Sequence, residues 1–234
     1  MDALNMTPDE ARHELKAAGR YMLENGLAWG NAGNLSARLS ATRGLITASG
    51  TRMGELGDND FAEFAIGSGT APAGGRKPSK EVPMHRAVYE ARPEINAILH
   101  ASPFYSTLLA CTGGSLPGDL FVEDMYYLER VARVAYAQPG TQALGELVGG
   151  QASRANVLLL ENHGVLVYDT SVREALMGLH TLEMTARMVV TARSAHLDLQ
   201  PLPPATVAEF LERSGYRPRR EWPPAPGPAS GDKR

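Results

Sequence analysis

With 234 residues the chain can enclose one sizeable core, and 43% apolar with 21% charged residues is a globular rather than a disordered composition. A formal charge of −3 gives no electrostatic footprint for nucleic acid or an anionic membrane, so neither is expected as a partner. No apolar run approaches the roughly 20 residues that span a bilayer, the start MDALNMTPDEARHELK is too charged for a secretory leader, and the single Cys111 excludes an intrachain disulfide and a Cys-rich zinc knuckle, so the expected location is cytoplasmic.

Thr7, Pro8 and Glu10 supply an N-cap, an N1 proline and an N3 glutamate for a first helix. Its apolar positions are Ala11, Leu15, Ala18, Met22 and Leu23, and Asn25-Gly26 is its stop. In WGNAGNLSARL, Gly30, Asn31, Gly33 and Asn34 can take left-handed backbone conformations, so amides can converge in a turn. Leu35, Ala37 and Leu39 then alternate with Ser36 and Arg38 as a strand does. A second β run, 45–48, ends in Ser49-Gly50-Thr51. Two small, hydroxyl-rich turns of this kind can offer donors to a phosphate, although each alone is equally the signature of a surface hairpin.

Residues 67–76 read as a flexible connection into PSKEVPMHRAVYEARP. There Ser79 is a natural N-cap, Met84, Ala87, Val88 and Ala91 form an apolar stripe, Pro93 is the stop, and Glu81 lies at the helix mouth. His85, alone on that helix, reads as packed or solvated. A β run, 95–99, delivers His100, and position 102 on the same strand face holds serine. A short helix from Pro103 carries Tyr105, Leu108 and Leu109; residues 120–140 are mixed in character. Thr141 begins a helix through Leu147, VLLL is a core strand, Asn162-His163-Gly164 a tight turn and VLVY the return strand. Asp169-Thr170-Ser171 caps the longest helix, 172 to about 195, with a core stripe of Leu176, Leu179, Leu182, Ala186 and Val190. A short helix follows at 206–213. The domain is expected over 1–215, with 216–234 a Pro/Gly-rich tail, disordered from about 223.

Strands separated by helices, with an antiparallel return around His163, predict an α/β sheet, mainly antiparallel or mixed, with helices on both faces. Sites in such sheets form at strand ends. Glu81, His100 and His163, one carboxylate and two strand-end imidazoles, read as a divalent-metal site beside an anion pocket; Ser102 stands where a further ligand is expected.

The chain resembles the class II aldolase/adducin family over residues 8–216, in particular its fuculose-phosphate and ribulose-phosphate aldolase branch. The resemblance rests on six motifs in order: GNLS (33–36), ITASGT (46–51), PSKE (78–81), HAS (100–102), AYAQPGT (135–141) and NHG (162–164). It implies a three-layer α/β/α fold, a homotetramer with sites between subunits, and one divalent metal per subunit, zinc first with manganese, iron or cobalt as alternatives. By position it implies that His100, His163 and Glu81 hold the metal and that Glu81 is the catalytic acid/base. It implies that Asn34, Ser49, Gly50 and Ser79 grip a substrate phosphate, that Tyr136 protonates the departing aldehyde oxygen, and that Tyr216 contributes from the tail. Two departures stand out. The family has His-x-His where this chain has His100-Ala101-Ser102, and serine is a poor zinc ligand. Lys80 stands where the aldolase branch more often has serine; a lysine there is similar to that of members that decarboxylate 3-oxo acid phosphates, and it adds positive charge to an anion pocket.

The expected activity is a metal-dependent carbon–carbon lyase, an aldolase, acting on a small sugar phosphate or related hydroxy-ketone through a metal-stabilised enediolate. The alternatives are a decarboxylase, dehydratase or epimerase on the same scaffold, acting on a 3-oxo or sugar acid, and a non-catalytic adducin-like scaffold. The expected partner is a small phosphorylated or carboxylated substrate.

Overall fold

The computed structural model describes residues 6–67, 69–70, 75–218 and 220–222; the tail beyond 222, expected to be disordered, lies outside the described residues. Among the described residues no helix is long and apolar enough to cross a membrane.

The first helix, α1 (Pro8–Glu24), is closed by the predicted capping box: Thr7 accepts from the Glu10 amide while the Glu10 carboxylate accepts from Thr7. The hairpin β1 (Asn34–Ser40) and β2 (Arg43–Thr47) follows, then β3 (Phe61–Ala65), α2 (Val82–Ala91), β4 (Ala97–Ala101) and α3 (Phe104–Thr112). After them come α4 (Val122–Tyr127), β5 (Val131–Val134), α5 (Gln142–Ala152), β6 (Val157–Leu160), β7 (Gly164–Asp169), α6 (Val172–Ser194) and α7 (Pro204–Arg213).

The seven strands form one sheet in the order β3-β2-β1-β4-β7-β6-β5, antiparallel throughout except for the parallel β5–β6 pair. Helices cover both faces, as expected of a three-layer α/β/α fold. Leu99, Val165 and Val167 point to the layer of α1 and α6, whereas Ile98, Leu166 and Tyr168 point to α2 and α5. Residues two apart share a face, so the strand pleat alone divides the two cores.

Several details differ from the sequence reading. Helix α2 begins at Val82, not at Ser79: Glu81 is the N-cap residue, and Ser79 turns the chain one step earlier by accepting the Glu81 amide at 3.3 Å. Helix α5 runs five residues past Leu147, to Ala152. On α6, Leu176 and Val190 are half-buried, while Ala175 and Val189 join Leu179, Leu182 and Ala186 in the core. The small faces of Ala175 and Gly178 let this helix lie close to β7; a Cβ on Gly178 would sit 3.1 Å from Val167. Strands β3 and β5 and helix α4 had no counterpart in the sequence reading.

Candidate active site

Pairing in the sheet determines which polar groups meet. Asn34 on β1 lies directly opposite His100 on β4, and both sit on the face covered by α2. Glu81, the cap of α2, therefore reaches the end of β4 bearing His100. His163 arrives from the turn between β6 and β7, where Asn162 takes φ +53° and Gly164 φ +151°. A Cβ on Gly164 would stand 2.5 Å from the Ala101 carbonyl oxygen and 2.7 Å from Ser102 Oγ, so only glycine lets this turn close onto β4.

Glu81, His100 and His163 converge, with one ligand-capable atom from each lying within 4.8 Å of the others. Glu81 Oε2 is 3.3 Å from His100 Nε2, and Oε1 is 3.1 Å from His163 Nε2. The Val165 carbonyl oxygen, 2.9 Å from His100 Nδ1, takes that nitrogen's proton as a hydrogen bond, so the Nε2 lone pair faces the carboxylate. Among the described residues, Glu81 Oε1 and His163 Nδ1 are buried and make no hydrogen bond. A lone pair directed at a carboxylate, beside an unsatisfied carboxylate oxygen, is an arrangement a shared cation resolves. Two imidazoles with one carboxylate suit zinc, iron, manganese or cobalt, so the residues fit a divalent ion.

Burial pushes the Glu81 carboxyl up, but the His163 and His100 imidazoles and the Asn34 amide outweigh it and hold the group at about 2. Glu81 is therefore ionised. Burial also holds His100 below its usual range against the pull of Glu81, which keeps the ring neutral as a metal ligand must be.

A cavity of about 590 Å³ opens onto the cluster. Asn34, Ser49, Gly50, Ser79 and Lys80 all border it, as do Ser102 and the three residues of the cluster. The Asn34 side chain is spent inside the protein: Nδ2 donates to Glu81 Oε2 at 2.7 Å, and Oδ1 accepts from His85 Nε2. The Ser49 amide donates to the Lys77 carbonyl oxygen. Lys80 is exposed at the rim. Ser102, at the position of the absent histidine, braces the turn instead, its hydroxyl donating to the His163 carbonyl oxygen at 3.2 Å. Its own carbonyl accepts from the indole of Trp29, a wall residue with no counterpart in the sequence reading.

Two predicted residues are not brought to the cluster within one chain. Tyr136 is 54% exposed, and its hydroxyl donates to Gln138 Oε1. Tyr216 packs against Phe210 and Tyr126. Its neighbour Arg220 binds Asp169, which pairs with Ala97 at the end of β4 away from His100. The residues behind Glu81, namely Ser36, His85 and Tyr89, were not assigned to the site from sequence. The spacing of 81, 85 and 89, four apart on one helix face, was the available signal.

The Class II Aldolase and Adducin N-terminal domain profile matches residues 13–190. The 3-oxo-tetronate 4-phosphate decarboxylase of Haemophilus influenzae is 34% identical over 189 residues, 78% of this chain and 89% of that one. The 5-methylthioribulose-1-phosphate/5-deoxyribulose-1-phosphate aldolase of Escherichia coli is 29% identical over 83% of this chain and 90% of its own. A solved L-fuculose 1-phosphate aldolase superposes with a TM-score of 0.78 at 27% identity, covering 91% of this chain and all of that one. Matched over most of its length, and by proteins named as enzymes rather than as scaffolds, the chain belongs to the class II aldolase and adducin family, on its enzyme side.

Proposed function

We propose that the protein breaks a carbon–carbon bond next to a carbonyl in a small phosphorylated substrate, and that the bond broken releases carbon dioxide from a 3-oxo acid. The observation that carries this reading is the ionised Glu81 held between two imidazoles at the floor of a cavity rimmed by Lys80, Ser79 and Ser49. Glu81, His100 and His163 would hold a divalent cation, which would supply Lewis-acid stabilisation of the negative charge that builds on the substrate's carbonyl oxygen. Lys80 and the hydroxyls of Ser49 and Ser79 bind and orient the anionic groups. Glu81 relays the proton that the carbon takes up after carbon dioxide has left, with water as its source. Trp29 and Pro139 contribute further walls of the cavity.

Lys80 and the name of the Haemophilus relative favour decarboxylation over aldol cleavage. The aldolase reading is favoured by the Escherichia coli relative and by the fuculose-phosphate enzyme's structure. In a homotetramer with sites between subunits, Tyr136 and Tyr216 would serve a neighbour's cluster. The test incubates protein loaded with zinc, manganese or cobalt with 3-oxo-tetronate 4-phosphate and, separately, with ketose 1-phosphates. Carbon dioxide release from the first supports the proposal. An aldehyde from the second alone assigns the aldolase reaction, and no product from either removes the enzymatic reading of this cavity.

A further inference from the structure

Strand β1 turns Asn34, Ser36 and Arg38 toward α2, and α2 turns Glu81, His85 and Tyr89 toward β1. All six are buried, with Ser36 and His85 fully enclosed and Tyr89 only 1% exposed. From this row we propose that Ser36, His85 and Asn34 form a one-way hydrogen-bond chain that positions the Glu81 carboxylate, committing Oε2 to the protein and leaving Oε1 for a cation or a proton. The inference rests on Glu81 being the site carboxylate, as argued above.

The direction follows from what each group can do. An ionised carboxylate only accepts, so the Asn34 amide must present Nδ2 to Glu81 Oε2, at 2.7 Å. That turns Asn34 Oδ1 toward His85 Nε2, which must then carry the ring's proton. His85 Nδ1 is left as an acceptor, and Ser36 Oγ donates to it at 2.7 Å. The one hydroxyl proton of Ser36 is thereby used, so Ser36 accepts from the Tyr89 hydroxyl at 2.9 Å. Reversing any link would put two donors or two acceptors face to face. Burial supports the assignment: it holds His85 down at about 3, hence neutral, and pushes the Tyr89 hydroxyl up, so it keeps its proton. A fully satisfied buried network permits one arrangement and resists any other.

Ser36, His85 and Tyr89 are positioning residues, since none borders the cavity, and they act on the site through Asn34. The variant Ser36→Ala tests this at a distance. Without the hydroxyl, His85 Nδ1 loses its donor and the ring loses one of its ties to β1. Glu81 still holds the His85 proton on Nε2 through Asn34, so the row that aims Oε2 is loosened rather than reversed.

Three measurements on the whole protein decide the matter: the His85 tautomer from nitrogen-15 histidine spectra, zinc affinity by chelator competition without substrate, and kcat against KM. The parent should show the Nε2–H tautomer. Ser36→Ala should weaken zinc binding about 10-fold or more and lower kcat with little change in KM, and Ser36→Thr should restore both. An Nδ1–H tautomer in the parent overturns the chain. So does a folded Ser36→Ala protein whose zinc affinity stays within about twofold of the parent while only its melting temperature falls, because that marks a packing role. Should the parent bind no zinc, the cation reading of the cluster fails, and the tautomer alone then decides the chain.

Discussion

The most direct test of how the fold builds the site is a pair of alanine substitutions in the loop before β1. Gly33 has φ +90°, and a Cβ there would lie 2.4 Å from the His100 carbonyl oxygen. Gly30, three residues earlier, has φ +55° with no atom within 4 Å of its would-be Cβ. A left-handed backbone costs a residue with a Cβ about 1–2 kcal/mol, and Gly30→Ala should lose only that. Gly33→Ala must also push β1 away from β4 by about 1 Å to restore ordinary contact. Overpacking of that kind costs about 1–3 kcal/mol more, for a total of about 2–5 kcal/mol against a stability on the order of 5–15 kcal/mol. Urea denaturation at fixed protein concentration reads the difference from the midpoints, provided the slope is unchanged. Because Asn34 follows Gly33 directly, zinc affinity should fall in Gly33→Ala and hold in Gly30→Ala. Equal losses of stability in the two variants would refute the claim that close contact at His100, rather than loop conformation, requires glycine at 33.

Three further outcomes are expected. Glu81→Gln keeps the shape and an acceptor for Asn34, so circular dichroism should not change while turnover falls by at least about 100-fold; activity above a tenth of the parent would move the proton relay to another group. Ser102→His offers a third imidazole, so zinc affinity should rise by about 10-fold or more by chelator competition, at about 1 kcal/mol for the lost bond to the His163 carbonyl; unchanged affinity would show that the side chain at 102 cannot reach the ion. Tyr136→Phe should leave zinc affinity and fold intact while lowering turnover, with light scattering reporting a tetramer; a monomer of full activity would exclude a contribution from a neighbouring chain.

Legibility in the sequence followed the range of the interaction. His100 follows a short apolar run and His163 lies in the turn between two of them, so local pattern alone placed both beside strand ends, and the six ordered motifs added the family. Glu81 was found as a charge at a helix mouth, but the cap was misassigned to Ser79, because serine has the higher capping preference and tertiary packing overrode it. The α6 stripe slipped toward Leu176 and Val190 because leucine and valine look more core-like than the alanines that let the helix approach the sheet. Tyr136 and Tyr216 matched by position, yet one chain does not gather them.

Ser36, His85 and Tyr89 were unreadable for a different reason. Each is ordinary alone, and their junction spans about fifty residues of sequence, created only when α2 packs over β1. One signal was nonetheless present. Asn34-Leu35-Ser36-Ala37-Arg38 alternates like a strand with one wet face, but β1 is central and helices cover both faces. A polar face in that position must find partners for every donor and acceptor, and a helix carrying Glu, His and Tyr at spacings of four is the complement such a face requires. A polar alternation on a strand predicted to be central is therefore better read as half of a buried network than as a surface.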